Sequence, residues 1–214
     1  CGPPISEKLG NDVIDVEALK PAFDNFKMRI TPAALEQIKE VGDPMWNQYI
    51  PTVEELDVVD GVIDSLDEDG DSPVPNITHR YPDRALFLVS PVCATYCRFC
   101  FRRETVGPGG SGTLSARALE AAIGYIATHP EIWEVILTGG DPLILSPRRL
   151  GAIMDRLAAI AHVKVVRLHT RIPAVAPERV TPALVGALKR SGKATWVGLH
   201  ANHPRELTPD ALAA

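Results

Sequence analysis

The chain predicts an α/β fold: a partial β/α barrel, truncated after about four strand–helix units, behind a helical N-terminal extension. Three features predict it. Short apolar runs recur from residue 85 onward, and capped helical patterns separate them. Each run also ends in polar or glycine residues, where a barrel gathers its functional groups. Strand then helix, repeated, is the mark of parallel βα units.

The extension and connector, residues 1–84, read as helical and irregular. TPAALEQIKEV (31–41) has Thr31 as N-cap, Pro32 at the first helical position and Leu35 and Ile38 on one face. The following GDPMWNQYIP is broken by Gly42, Pro44 and Pro51. DSLDEDGD (64–71) reads as a solvated helix end and turn, and SPVPNITHRYP (72–82) as a proline-punctuated connector.

The half barrel, residues 85–214, opens with ALFLVS (85–90), a strand expected to be buried on both faces. EVILTGG (134–140), VKVVRLHT (163–170) and ATWVGLH (194–200) are the other three strands. The helices are LSARALEAAIGYIATH (114–129), SPRRLGAIMDRLAAIA (146–161) and TPALVGALKRSG (181–192). The last two open on Ser/Thr–Pro and the last closes on Gly. TPDALAA at the end reads as a helix just beginning, so the chain is expected to be a fragment. Trp46, Trp133 and Trp196 are assigned to packing.

Composition narrows the function classes. The chain is 45% hydrophobic and 23% charged, with a net charge of −5, which argues against a nucleic-acid binder. No apolar run reaches the roughly 18 residues of a membrane span, and CGPPISEKLGNDV lacks the layout of a signal peptide. Three of the four cysteines cluster, which suits a ligand set in a reducing compartment; a cytoplasmic location is expected.

The chemistry sits at the strand ends. Cys93, Cys97 and Cys100 have the spacing C-x3-C-x2-C. A [4Fe–4S] cluster normally takes four thiolates, so three leave one iron open to a small molecule. A Cys3His zinc site with His79 or another histidine is the alternative. Thr138, Gly139, Gly140 and Asp141 follow a strand, and two glycines permit close backbone approach, to a ligand or simply round a turn. Arg80, Tyr81 and Arg84 in HRYPDR could clamp a phosphate and stack on an aromatic cofactor. Equally, that segment could be a surface Asp83–Arg ion pair and a proline turn. Arg102 and Arg103 could meet a substrate carboxylate or neutralise an anionic cluster. His200 and His203 in HANHP could touch a ligand or cap a turn.

The cysteine loop resembles that of the radical S-adenosylmethionine (SAM) superfamily. With DSPVPNITHRYPDRALFLVS, CRFCFRR, LTGGDPLILS and HANHP, the chain resembles the lysine 2,3-aminomutase family within it, from about residue 42 onward. The resemblance implies a radical-SAM-type partial barrel. It also implies a [4Fe–4S] cluster on Cys93, Cys97 and Cys100, with SAM held by Thr138, Gly139, Gly140, Asp141 and His200. Pyridoxal phosphate (PLP) would lie against Arg80, Tyr81 and Arg84, and Arg102 would pair with an amino-acid carboxylate. The implied reaction moves an amino group from C2 to C3, with L-lysine to L-β-lysine favoured. Glutamate or another amino acid, and lysine in modification of elongation factor P, are alternatives; Phe101 resembles the last. A non-catalytic iron–sulfur or zinc module is the alternative of another class. Implied partners are an amino-acid substrate, an electron donor such as flavodoxin or ferredoxin, and copies of the full-length protein in a homo-oligomer. The family's PLP-bonding lysine has no match among Lys164, Lys189 and Lys193, so this chain alone is expected to be inactive as a mutase.

Overall fold

The computed structural model describes residues 20–21, 28–57, 64–103, 105–107 and 114–214. Cys1, the N-terminal stretch read for a signal and residues 58–63 lie outside these.

The extension supplies two short helices, α1 (Pro32–Gln37) and α2 (Trp46–Tyr49), and a 3-10 turn over Val53–Leu56. Thr31 caps α1 as expected, its side chain accepting from the Ala34 amide. Five strands follow: β1 (Ile77–Tyr81), β2 (Arg84–Ser90), β3 (Glu134–Gly139), β4 (Val165–Thr170) and β5 (Ala194–Leu199). They lie side by side in sequence order in one open sheet. The pairs β2–β3, β3–β4 and β4–β5 are parallel, which is the expected half barrel. Strand β1 instead runs antiparallel to β2.

That strand corrects the reading of residues 72–82 as connector only. Pro75 and Pro82 flank ITHRY rather than interrupt it, and a proline outside the paired residues removes no ladder hydrogen bond. The β-branched and aromatic residues between them suit a strand at a sheet edge.

Helices α3 (Ala116–Thr128), α4 (Pro147–Ala158) and α6 (Pro182–Leu188) connect the parallel strands, with the short α5 (Ile172–Val175) just after β4 and α7 (Pro209–Ala213) closing the chain. Ser115, Ser146 and Thr181 cap α3, α4 and α6 through side-chain oxygens that accept from the third residue on. Beyond α6 the chain turns at Gly192, with φ of +64°, the left-handed stop that glycine tolerates.

Strand period separates two faces. Phe87, Val89, Leu137, Val166 and Leu168 point one way and are buried, with Ile126, Leu150, Met154 and Leu157 of the helices in the same core. The other face carries Arg84, Leu86, Glu134, Ile136, Arg167 and His169, in register across the strands. It forms a cavity wall, so β2 alternates between buried and half-buried residues and is not buried on both faces. The tryptophans divide similarly: Trp46 is buried, whereas Trp196 on edge strand β5 is 60% exposed. Trp133 is also exposed and donates its indole N–H to Asp83 at 3.1 Å. Among the described residues, no helix is long and apolar enough to cross a membrane.

Candidate active site at the carboxyl ends of the strands

All four parallel strands end at one cavity of about 240 Å³. Cys93, Cys97 and Cys100 line it from the loop after β2, Thr138 to Asp141 from the end of β3, Thr170 and Arg171 from β4, and His200 from β5. Three free thiols therefore face one space with a glycine turn opposite. Burial pushes the Cys93 and Cys100 thiols up, so binding a cation there means displacing their protons. Among the described residues no three His, Cys, Asp or Glu side chains converge as a single-ion site would require. Three thiols on one cavity leave the space beside them open for a fourth, non-protein ligand, as a [4Fe–4S] cluster held by three cysteines requires. His79, the proposed fourth zinc ligand, instead bonds the Tyr125 hydroxyl at 2.8 Å and lines neither this cavity nor its neighbour.

The cysteine loop is pinned from both sides. From the extension, Arg29 and Gln48 carbonyls accept from the Tyr96 and Arg98 amides at 2.9 and 2.8 Å. Glu55 takes the Arg98 fork at 3.0 and 2.6 Å and reaches Arg103 at 3.1 Å. From the barrel, the Gly140 and Asp141 amides donate to the Ser90 and Val92 carbonyls at 2.5 and 2.9 Å. Gly139 has φ of +108°, and a Cβ there would lie 2.6 Å from the Ser90 carbonyl; one on Gly140 would strike the backbone of Val92. The space these glycines leave is thus filled by the chain's own backbone, the end of β2 at Gly139 and the start of the cysteine loop at Gly140.

Asp141 is also turned inward. Its carboxylate accepts from the Leu143 amide, the Thr170 hydroxyl and the Arg171 amide, all within 2.9 Å. It ties β3 to β4 at the edge of the cavity, which Thr138, Gly139 and Gly140 line beside it. The two histidines separate by role. His200 lines the cavity with its ring 5.8 Å from Phe99, while His203 accepts from the Arg205 amide and caps a turn.

A second cavity, about 440 Å³, adjoins the first and shares Phe101, Arg102, Thr138 and His169 with it. Arg80, Tyr81 and Arg84 line its far side, brought there by β1 and the start of β2. Both of their guanidiniums already hold carboxylates: Arg80 meets Asp71 at 2.5 Å, and Arg84 grips Asp83 at 3.0 and 2.9 Å. The Asp83–Arg84 ion pair is the surface pair the sequence offered as the alternative. Tyr81 is 62% exposed, an open ring face on the cavity. Arg102 stands between the cavities, its fork on Glu68 at 2.6 and 2.5 Å and its other terminal nitrogen 3.4 Å from the Gly139 carbonyl. Glu68 belongs to the acidic run read as solvated, and its capture by Arg102 is visible only in three dimensions.

Sequence reasoning also passed over Arg171 and His169. Arg171 follows β4 directly in RLHTR and is buried against Cys97. His169 lines both cavities, with burial and then Arg167 holding its imidazole below the usual range. Their place at a strand end was the available signal.

The fold and this arrangement of thiols, glycine turn and strand ends define a class. The family model of the radical SAM superfamily matches residues 87–213, and the chain belongs to that superfamily, whose members use a [4Fe–4S] cluster and SAM. More particularly, it is similar to L-lysine 2,3-aminomutases. It is 40% identical over 203 residues to the one from Fusobacterium nucleatum and 41% identical over 201 residues to that of Acetoanaerobium sticklandii. These alignments cover 94% and 92% of this chain and 47% and 48% of the relatives. The L-lysine 2,3-aminomutase of Escherichia coli is 35% identical over 184 residues, 85% of this chain and 53% of the relative. The chain thus spans about half the length of the curated relatives it matches.

Proposed function

We propose that this chain is the cluster- and SAM-binding half of a PLP-dependent amino-acid 2,3-aminomutase, with L-lysine as substrate and L-β-lysine as product. One observation carries the reading: a cavity ringed by three thiols opens beside a second cavity ringed by cationic and aromatic groups, and both share Arg102 and Thr138. Two cofactors that must act on one substrate need such a junction.

Cys93, Cys97 and Cys100 would hold the cluster, and Thr138, Gly139, Gly140, Asp141 and His200 would hold SAM. Arg80 and Arg84 would take the phosphate of PLP, and the Tyr81 ring would stack on its pyridine. When bound, these groups supply a hydrogen-abstracting radical from SAM and a conjugated carrier for the migrating amino group. The chain's own part is positioning. Arg102 would present its guanidinium to the substrate carboxylate, exchanging Glu68 for it, so that the amino-acid backbone lies across the junction. Asp141 keeps β3 and β4 together beneath the site, and the glycine turn fixes the cysteine loop over it. An electron donor of the flavodoxin or ferredoxin kind and self-association of the full-length protein belong to the same reading.

The test is electron paramagnetic resonance on anaerobically reconstituted, dithionite-reduced protein, with and without SAM. A [4Fe–4S] signal that changes shape with SAM is expected. A colourless zinc protein, or a cluster signal indifferent to SAM, would overturn the cofactor assignment. The longer protein that carries this region, given PLP, SAM and L-lysine under reduction, should yield β-lysine by amino-acid chromatography. Turnover of glutamate instead would reassign the substrate and leave the site intact.

A further inference from the structure

Arg171 sits one residue past β4 and is 8% exposed. Its Nη1 lies 2.7 Å from Cys97 Sγ. Its Nη2 reaches Gln48 Oε1 at 2.9 Å, the Tyr49 hydroxyl at 3.1 Å and the Glu206 carboxylate. The rings of Tyr49 and Phe99 lie 5.5 and 5.7 Å from its Cζ. Its buried Nε has no hydrogen-bond partner among the described residues.

We propose that Arg171 is a positioning residue for the cluster. It pins Cys97 and sets the cluster's reduction potential by holding a fixed positive charge and an N–H donor against that sulfur. The inference rests on the reading above that Cys93, Cys97 and Cys100 hold a [4Fe–4S] cluster.

The physical case begins with burial. A guanidinium out of water is retained only where anions and acceptors meet it on several sides. Glu206 supplies one negative charge; burial alone would raise its pKa, but Arg171 and the Asn202 and His203 amides hold the carboxyl below its ordinary range. As a cluster ligand, Cys97 would supply a second anion. Gln48 and Tyr49 come from α2 and Glu206 from the segment after β5, so the guanidinium is anchored from two distant parts of the chain and cannot follow solvent. Arginine stays charged at every accessible pH, so no proton enters the account. Hydrogen bonds to ligating sulfurs and nearby charge are the levers that set cluster potentials. On reduction one electron passes from the donor to the cluster and no bond in the chain is made or broken. The added negative charge is stabilised by the cation already in place.

The experiment is a redox titration of the reconstituted 214-residue chain, followed by the resonance of the reduced cluster. Arg171→Gln removes the charge and should lower the midpoint, with about a tenfold fall in the reduced fraction relative to oxidised at fixed potential, about 59 mV for a one-electron couple. Arg171→Lys keeps the charge but loses the fork and should fall by less. Glu206→Gln removes the opposing anion and leaves the guanidinium at Cys97, so its midpoint should move the other way. Thermal melts and iron content of each variant separate potential from stability. An unmoved midpoint in Arg171→Gln, or shifts of the same sign in Arg171→Gln and Glu206→Gln, would overturn the proposal. If Arg171→Gln does not fold, Arg171→Lys and Glu206→Gln decide: opposite shifts support it and no shift in either sinks it. A wild-type chain that takes up no SAM-responsive cluster removes the preceding reading, and this one falls with it. A responsive cluster with unmoved variants removes this one alone.

Discussion

Gly140 shows how little room the site leaves at a single residue. An added Cβ would sit 2.6 and 2.7 Å from the carbonyl carbon and amide nitrogen of Val92, atoms of the backbone that carries the cysteine loop. Backbone cannot rotate aside as a side chain can, so the loop must move as a body. Gly140→Ala should therefore cost about 1–3 kcal/mol of stability, read as a lower urea midpoint. It should also lower iron retained per chain after reconstitution, since the loop holds all three thiols. Unchanged stability and iron content would show that the loop yields freely. The sequence marked the Gly pair as special but could not say for what; a glycine permits close approach without naming the group that approaches.

At the scale of elements, the helix boundaries were the most legible part. The Ser146 and Thr181 caps are set by local chemistry, a short side chain that accepts from an amide three residues on, and they formed where the pattern placed them; Ser115, not singled out in the sequence, caps α3 in the same way. Ser146 caps α4, whose Leu150, Met154 and Leu157 lie in the core behind β3 and β4. Ser146→Ala should cost about 1 kcal/mol in chemical denaturation, with Ser146→Asp restoring most of it; equal losses in both would rule out a capping role. Strand β1 was missed because its prolines count as loop signals in a linear reading. Only pairing with β2 decides that they bound a strand. Pairing of that kind also puts Arg80 and Tyr81 at the second cavity, which no property of residues 79–84 alone requires.

Over the whole molecule, the extension is tied to the end of the barrel. Asp43 is buried, accepts from the Met45, Trp46 and Lys39 amides at 2.8, 2.7 and 3.0 Å, and meets Arg205 at 2.6 Å. Burial alone would raise its pKa, but the amides and Arg205 outweigh it and bring the carboxyl from 3.8 down to about 2. A depressed carboxyl stabilises the fold above its unfolded pKa and loses that contribution as pH falls through the folded one. The link should therefore be fully present above about pH 4 and lost on the way down to about pH 2, a change of about 2 kcal/mol. Urea unfolding as a function of pH should show this fall in the wild type and a shallower one in Asp43→Asn. Parallel curves for the two proteins would mean that Asp43 does not couple the halves.

The sequence by itself determined the repeating strand–helix order, the caps, and the three thiols in one loop. Each of these depends on residues a few positions apart, where spacing and side-chain chemistry suffice. Tertiary structure alone decided which charges meet. Glu68 lies 34 positions from Arg102, Glu206 lies 35 from Arg171, and Gln48 lies 123 from Arg171. Such pairs form because the parallel strands deliver all their ends to one rim and the extension folds back over it. Long-range electrostatics leaves no periodic trace in the chain, so the acidic run at 64–71 read as solvated surface, and the arginine after β4 was one more polar strand end without a partner until the fold brought both to the site.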